Sequence, residues 1–180
     1  MSNGGGRPFY GKYRATVLNN VDPENRGRLQ LTIPDVLGVV PSTWAECCAP
    51  VSGMPGAASG LFAVPPIGAA VWVEFEQGDP NRPIWTGGRW ESAADVPPLA
   101  IAPPAIPPGQ NYVLQTPLQN TLLVSDSAPT PATGGVVLKS PTGAMLVVND
   151  TGIYINNGKG ASITLIGPTV TVNNGALVVI

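Results

Sequence analysis

Residues 160–180 read GASITLIGPTVTVNNGALVVI, and their texture decides the fold. Three short apolar groups, Ile163-Thr164-Leu165, Val170-Thr171-Val172 and Leu177-Val178-Val179, are separated by Gly167-Pro168 and Asn173-Asn174-Gly175. Pro ends a helix, and Asn and Gly accept positive φ, so the separators are tight corners and the groups are short strands. Working backwards, the same texture continues through Ile153-Tyr154-Ile155, Leu146-Val147-Val148, Val136-Val137-Leu138 and Leu122-Leu123-Val124. The intervening corners include Asn149-Asp150-Thr151-Gly152 and Asn156-Asn157-Gly158. Seven strands turning every seven to fourteen residues predict a β-helix or solenoid over residues 112–180. Single short strands cannot enclose a core, and a turn of a one-chain β-helix uses about three. The deficit predicts association of three identical chains into a prism, with Ile153, Ile155, Ile163, Leu165, Val170 and Val172 as its inward residues. Stacked at ~4.8 Å, seven strands reach roughly 30 Å, comparable with a bilayer core of ~30 Å.

Upstream, residues 97–108 hold six prolines interleaved with Leu, Ala and Ile, which predicts an extended polyproline spacer within a linker over 93–111. Residues 10–92 carry all four tryptophans and most of the charge. Val71, Val73 and Phe75 alternate with Trp72, Glu74 and Glu76, the period of a half-buried strand. Further strands are predicted at Tyr13–Val21, Arg28–Ile33, Trp44–Val51 and Ile84–Thr86. That many short strands in about eighty residues predicts a small barrel. Residues 1–9 are predicted to be a flexible tail. The whole chain, 180 residues with 22 Gly, 21 Pro, 43% apolar and 11% charged, is too apolar for disorder and too often broken for helices. The fold class is all-β.

Composition also narrows the chemistry. The chain has no histidine, which removes His-based acid–base catalysis, Ser-His-Asp and Cys-His arrangements and His-containing metal sites. Its net charge is −2 and its nine basic residues are scattered, which disfavours nucleic acid. Cys47 and Cys48 are adjacent, point to opposite faces of a strand, and preset neither a disulfide nor a chelate. Glu74 and Glu76 lie at glycosidase-like spacing, yet they read as the solvated face of an amphipathic strand. Gly4-Gly5-Gly6 lacks the Lys-Ser/Thr of a phosphate loop, and Asn149–Gly152 has one carboxylate, too few for calcium. Neither catalytic residues, nor a cofactor, nor a metal is expected. Without a signal peptide or a long apolar run, the chain is expected to be made in the cytoplasm.

The order of motifs resembles a known family. VDPENRGRLQLTIPD at 21–35, WAECCAPVSG at 44–53 and GLFAVPPIGAAVWVEFEQGDPNRPIWTGG at 60–88 resemble the OB-fold domain of phage baseplate assembly protein V and the related type VI secretion spikes. Residues 160–180 resemble the intertwined trimeric β-helical needle that follows that domain. The resemblance implies a structural role: a homotrimeric central spike of a contractile tail or tail-like injection system, docked under a hub and driven into the target cell envelope. Only about ten residues precede the barrel, so the hub is expected to be a separate protein. No lysozyme domain is expected between barrel and needle, and a His-bound iron tip cannot form. The apolar end, Leu177, Val178, Val179 and Ile180, is expected to carry a separate PAAR-type tip protein or cargo. Two other classes stay open at this point: an OB-fold module binding oligonucleotide or glycan, and, last, an enzyme using carboxylates alone.

Overall fold

The computed structural model describes residues 8–101, 111–127 and 134–180. The chain divides after Glu91 into two compact units.

In the first unit the apolar alternation produces five strands: β1 (Tyr13–Asn19), β2 (Gln30–Thr32), β3 (Glu46–Cys47), β4 (Ala70–Phe75) and β5 (Pro83–Gly88). Their order in the sheet is β2-β1-β4-β5-β3, with β3 parallel to β5 and the other pairs antiparallel. Leu29 and Ala45 exchange backbone hydrogen bonds of 3.1 and 2.7 Å. That bridge joins the margin before β2 to the margin before β3, so the sheet curls into an OB-like half-barrel. Inside lie Ala15, Val17, Leu29, Leu31, Ile33, Ala45, Val71, Val73, Phe75 and Trp85. On the outer side Lys12 pairs with Glu74 at 2.6 Å, and Glu76 pairs with Arg82 at 2.6 Å. The expected strand at Trp44–Val51 is shorter than its apolar run. Cys48 still donates to the Trp85 carbonyl, but Pro50 has no N–H to continue the ladder. Both thiols are free. The tail expected for residues 1–9 does not reach its full length, since Phe9 donates its N–H to Gly78 and its ring packs on Tyr13 and Phe75. Residues 1–7, with Gly4-Gly5-Gly6, lie outside the described residues.

The turn 22–28 ties the half-barrel together. The buried Asp22 carboxylate accepts from the backbone N–H groups of Glu24, Arg26 and Arg28. It also accepts from the Arg28 side chain at 2.7 and 3.1 Å. Arg28 in turn lies over the Trp44 ring. Gly27 takes φ +75° here, and its carbonyl accepts the indole N–H of Trp85 at 2.9 Å. A Cβ at Gly27 would meet the Phe62 ring at 3.2 Å, so glycine suits both the backbone and the space.

In the second unit eight strands run as a meander in chain order: β6 (Asn111–Gln115), β7 (Thr121–Ser125), β8 (Gly135–Lys139), β9 (Ala144–Asn149), β10 (Gly152–Asn157), β11 (Ser162–Ile166), β12 (Thr169–Val172) and β13 (Leu177–Val179). Every pairing is antiparallel. Each of the seven expected apolar groups lies in one of the strands β7 to β13, and β6 is an additional strand that the count from sequence left out. Within one chain the rungs are reversals of a single sheet. The linker opens differently from the polyproline expectation: Ser92 and Asp95 form a reciprocal cap around a single turn, and Pro98–Ile101 (α1) is a helical turn. Pro98 supplies a preset helical φ, and Asn111 holds the turn by donating to the Leu99 carbonyl at 2.9 Å. The remainder of the predicted spacer, 102–110, lies outside the described residues.

The Arg28 guanidinium first, and then the three backbone N–H groups, hold the Asp22 carboxyl far below its ordinary value of 3.8, against the opposing effect of burial. A lowered folded-state pKa contributes stability above the ordinary carboxylate range and loses it as pH falls. Asp22→Asn is therefore expected to lower the melting temperature at neutral pH and to flatten its fall below about pH 4. Calorimetry of both proteins across pH checks this, and parallel curves would contradict the role given to Asp22.

Candidate functional site

Antiparallel partners lie on the same face of a sheet, so register sorts the side chains of the second unit. One line of partners runs Tyr112, Val124, Val136, Val148, Ile153, Leu165, Val170, Val179. Two residues along each strand, and so on the same face, a second line runs Leu114, Leu122, Leu138, Leu146, Ile155, Ile163, Val172, Leu177. These two columns are apolar at every position, interrupted only by the phenol of Tyr112. No ionisable carboxylate, amine or thiol stands in them.

The opposite face has a different character. Leu123, Val137 and Val147 are buried there, with Val113, Met145 and Tyr154 packed on them. From β10 onward the corresponding positions become Tyr154, Thr164 and Thr171. Tyr154 is anchored by a 2.6 Å hydrogen bond between its hydroxyl and that of Thr151. One face thus covers itself along its first strands and turns polar along the later ones. The two-column face stays open: Tyr112 is 74% exposed, Leu138 46% and Ile155 44%. A soluble chain does not leave an apolar strip of this extent uncovered.

All six residues expected to face inward, Ile153, Ile155, Ile163, Leu165, Val170 and Val172, fall on this one face. The structure adds ten neighbours that sequence reasoning did not assign to this face, among them Leu177 and Val179, which were expected at the apex. The signal for most of them was already in the tripeptide groups, because the two outer residues of each group share a face and the middle one does not. Tyr112 and Leu114 had no such group around them. The residues expected at the apex do not form one surface. Leu177 and Val179 continue the two columns, Val178 points to the other side, and Ile180 follows β13 at 93% exposure.

The half-barrel has no comparable chemistry. Among the described residues, no three metal-ligating side chains gather. Cys47 is half-buried, and burial raises its thiol pKa, the reverse of what a reactive thiolate needs. Several cations of the half-barrel are already paired: Arg26 with Glu24 and Glu46, Arg82 with Glu76, and Arg89 with Glu91. Trp85, a candidate stacking platform, is core and bonded to Gly27. A basic, aromatic groove for single-stranded nucleic acid is not what these residues build.

An antiparallel sheet with one continuous, unshielded apolar face and no reactive group on it defines a self-associating structural module. Comparison with known families agrees. Residues 13–90 match the type VI secretion system/phage-baseplate injector OB domain, and residues 111–178 match the phage baseplate V C-terminal trimerisation domain. The chain belongs to the phage baseplate V family, the spike proteins of tail-like injection systems. Its role is accordingly structural rather than catalytic, and its C-terminal unit is a trimerisation domain that supports a homotrimer. No curated protein matches the chain.

Ile155 occupies the middle of the second column. Ile155→Glu is expected to abolish the trimer, because an unpaired charge buried in each of three chains costs about 3–5 kcal/mol per chain. Sedimentation velocity at matched concentrations checks it. Lys159→Glu, on an exposed turn, is the control and is expected to leave the assembly intact.

Proposed function

We propose that three copies wind their C-terminal sheets into one triangular, intertwined β-helical needle with both apolar columns inside. The observation that carries this reading is the continuity of those columns through all eight strands. Three chains meeting at a common axis cover each other's strips, and rotational closure also removes most exposed sheet edges. The interior is then dry and the backbone paired along the shaft, which makes a thin, stiff rod suited to compressive load. The half-barrel, residues 10–92, forms the collar under a separate hub protein, and residues 93–111 connect collar to needle.

The needle leads when the sheath contracts and enters the envelope of the target cell, so the chain works outside the cell that makes it. The exposed residues at its far end, with Ile180 foremost, receive a separate PAAR-type tip protein or cargo through an apolar contact. No helix among the described residues is long and apolar enough to cross a membrane. In this reading the strands do the piercing as one preassembled body.

Particles purified from cells lacking this chain, and from cells carrying Ile155→Glu, test the proposal by electron microscopy. The expected result is loss of density along the axis below the hub, with failure of target killing or ejection in both. Particles that keep their axial spike and their activity without the chain would overturn it.

A further inference from the structure

Asn–Gly pairs occur at 3–4, 157–158 and 174–175, and the first lies outside the described residues. The other two occupy equivalent Asn-Asn-Gly corners but are held very differently. At the β10–β11 corner, Asn157 Oδ1 accepts the backbone N–H groups of Lys159 and Ala161 at 2.8 and 3.0 Å. The Gly158 N–H donates to Asn156 Oδ1 at 2.6 Å. Both the carboxamide and the adjoining peptide nitrogen are therefore engaged. At the β12–β13 corner the first asparagine is used, since Asn173 Oδ1 accepts the Ser162 N–H at 3.0 Å. Asn174, however, is exposed, sits in the left-handed region at φ 55° and ψ 32°, and has no hydrogen bond to its side chain. The glycine after it, at φ +105°, has open space where a Cβ would stand.

We infer that Asn174 is the site of a spontaneous intramolecular deamidation that Asn157 is built to resist. The Gly175 backbone nitrogen gives up its proton and attacks Asn174 Cγ, the bond from Cγ to the side-chain nitrogen breaks, and ammonia leaves. Water then opens the resulting five-membered imide at either carbonyl, giving aspartate or isoaspartate at position 174. No oxidant, metal or enzyme is needed. Every product adds one negative charge, and isoaspartate also inserts a methylene into the main chain. The change falls in the turn that sets the register of Val172 with Leu177 and of Val170 with Val179, the last rung of the apolar columns. The modification is thus an ageing mark that loosens the terminal strand β13 and leaves the earlier rungs alone.

The test is incubation of the purified full chain at mildly alkaline pH, with peptide mapping by mass spectrometry and detection of isoaspartate by enzymatic methyl transfer. A synthetic peptide covering 170–180 runs in parallel as the unconstrained reference. The expected result is a one-dalton gain at Asn174 that outpaces Asn157 by roughly tenfold or more, the factor set by the hydrogen bonds that must break at Asn157. Asn174→Gln is expected to remove the gain from that peptide. Asn156→Ala, which frees the Gly158 N–H, is expected to speed conversion at Asn157. Equal rates at the two asparagines, or an unchanged Asn174 after the reference peptide has converted, would overturn the inference.

Discussion

Everything in the C-terminal half follows from one constraint: an apolar strip two residues wide and eight strands long must be kept from water, and no described residue of that unit lies over it. The antiparallel ladders pair the strands with one another within one chain but leave that strip unsatisfied. Only association satisfies it. Folding of this unit and its assembly are thereby coupled, because each copy supplies the solvent-excluding surface that the others lack. The same coupling fits a structural role, since a unit whose apolar face is covered by association is built from several copies at once.

The half-barrel gathers a core of its own within one chain. Its margins meet at Leu29 and Ala45, its core is filled, and the Asp22–Arg28 turn places a buried charge pair with every oxygen used. That contrast separates the two units physically. One encloses its core within a single chain, and the other is completed by copies of itself. A half-barrel with its own core can present the same outer surface whether or not the C-terminal units have associated, an arrangement suited to stepwise assembly of a larger particle.

Much of this was legible in the sequence because period-two alternation and Asn/Gly corners are local signals. Val71 to Phe75 named their own faces, and the groups around 123 to 178 named seven strands. Strand β6 was not legible: Asn111–Gln115 follows a proline-rich run, and Asn and Gln at its ends mask the alternation of Tyr112 and Leu114. The helical turn at Pro98–Ile101 was missed because proline presets φ for both polyproline and the first turn of a helix. The side-chain knot of Asp22 was invisible for a different reason. Its partners sit within six residues, but the Trp44 and Trp85 contacts that give it structural weight come from strands brought together only by the fold. Likewise, the six residues chosen for the inward face were the most symmetrical apolar pairs, whereas register extends that face to sixteen.

The account stands or falls on whether three copies close over the two columns. Light scattering of the purified chain, coupled to size exclusion, measures this directly. The predicted mass is three times the 18.5 kDa of one chain, falling to the monomeric value for a chain ending before Asn111. A folded, soluble full-length monomer at micromolar concentration would contradict the account, because the two apolar columns would then need no partner at all.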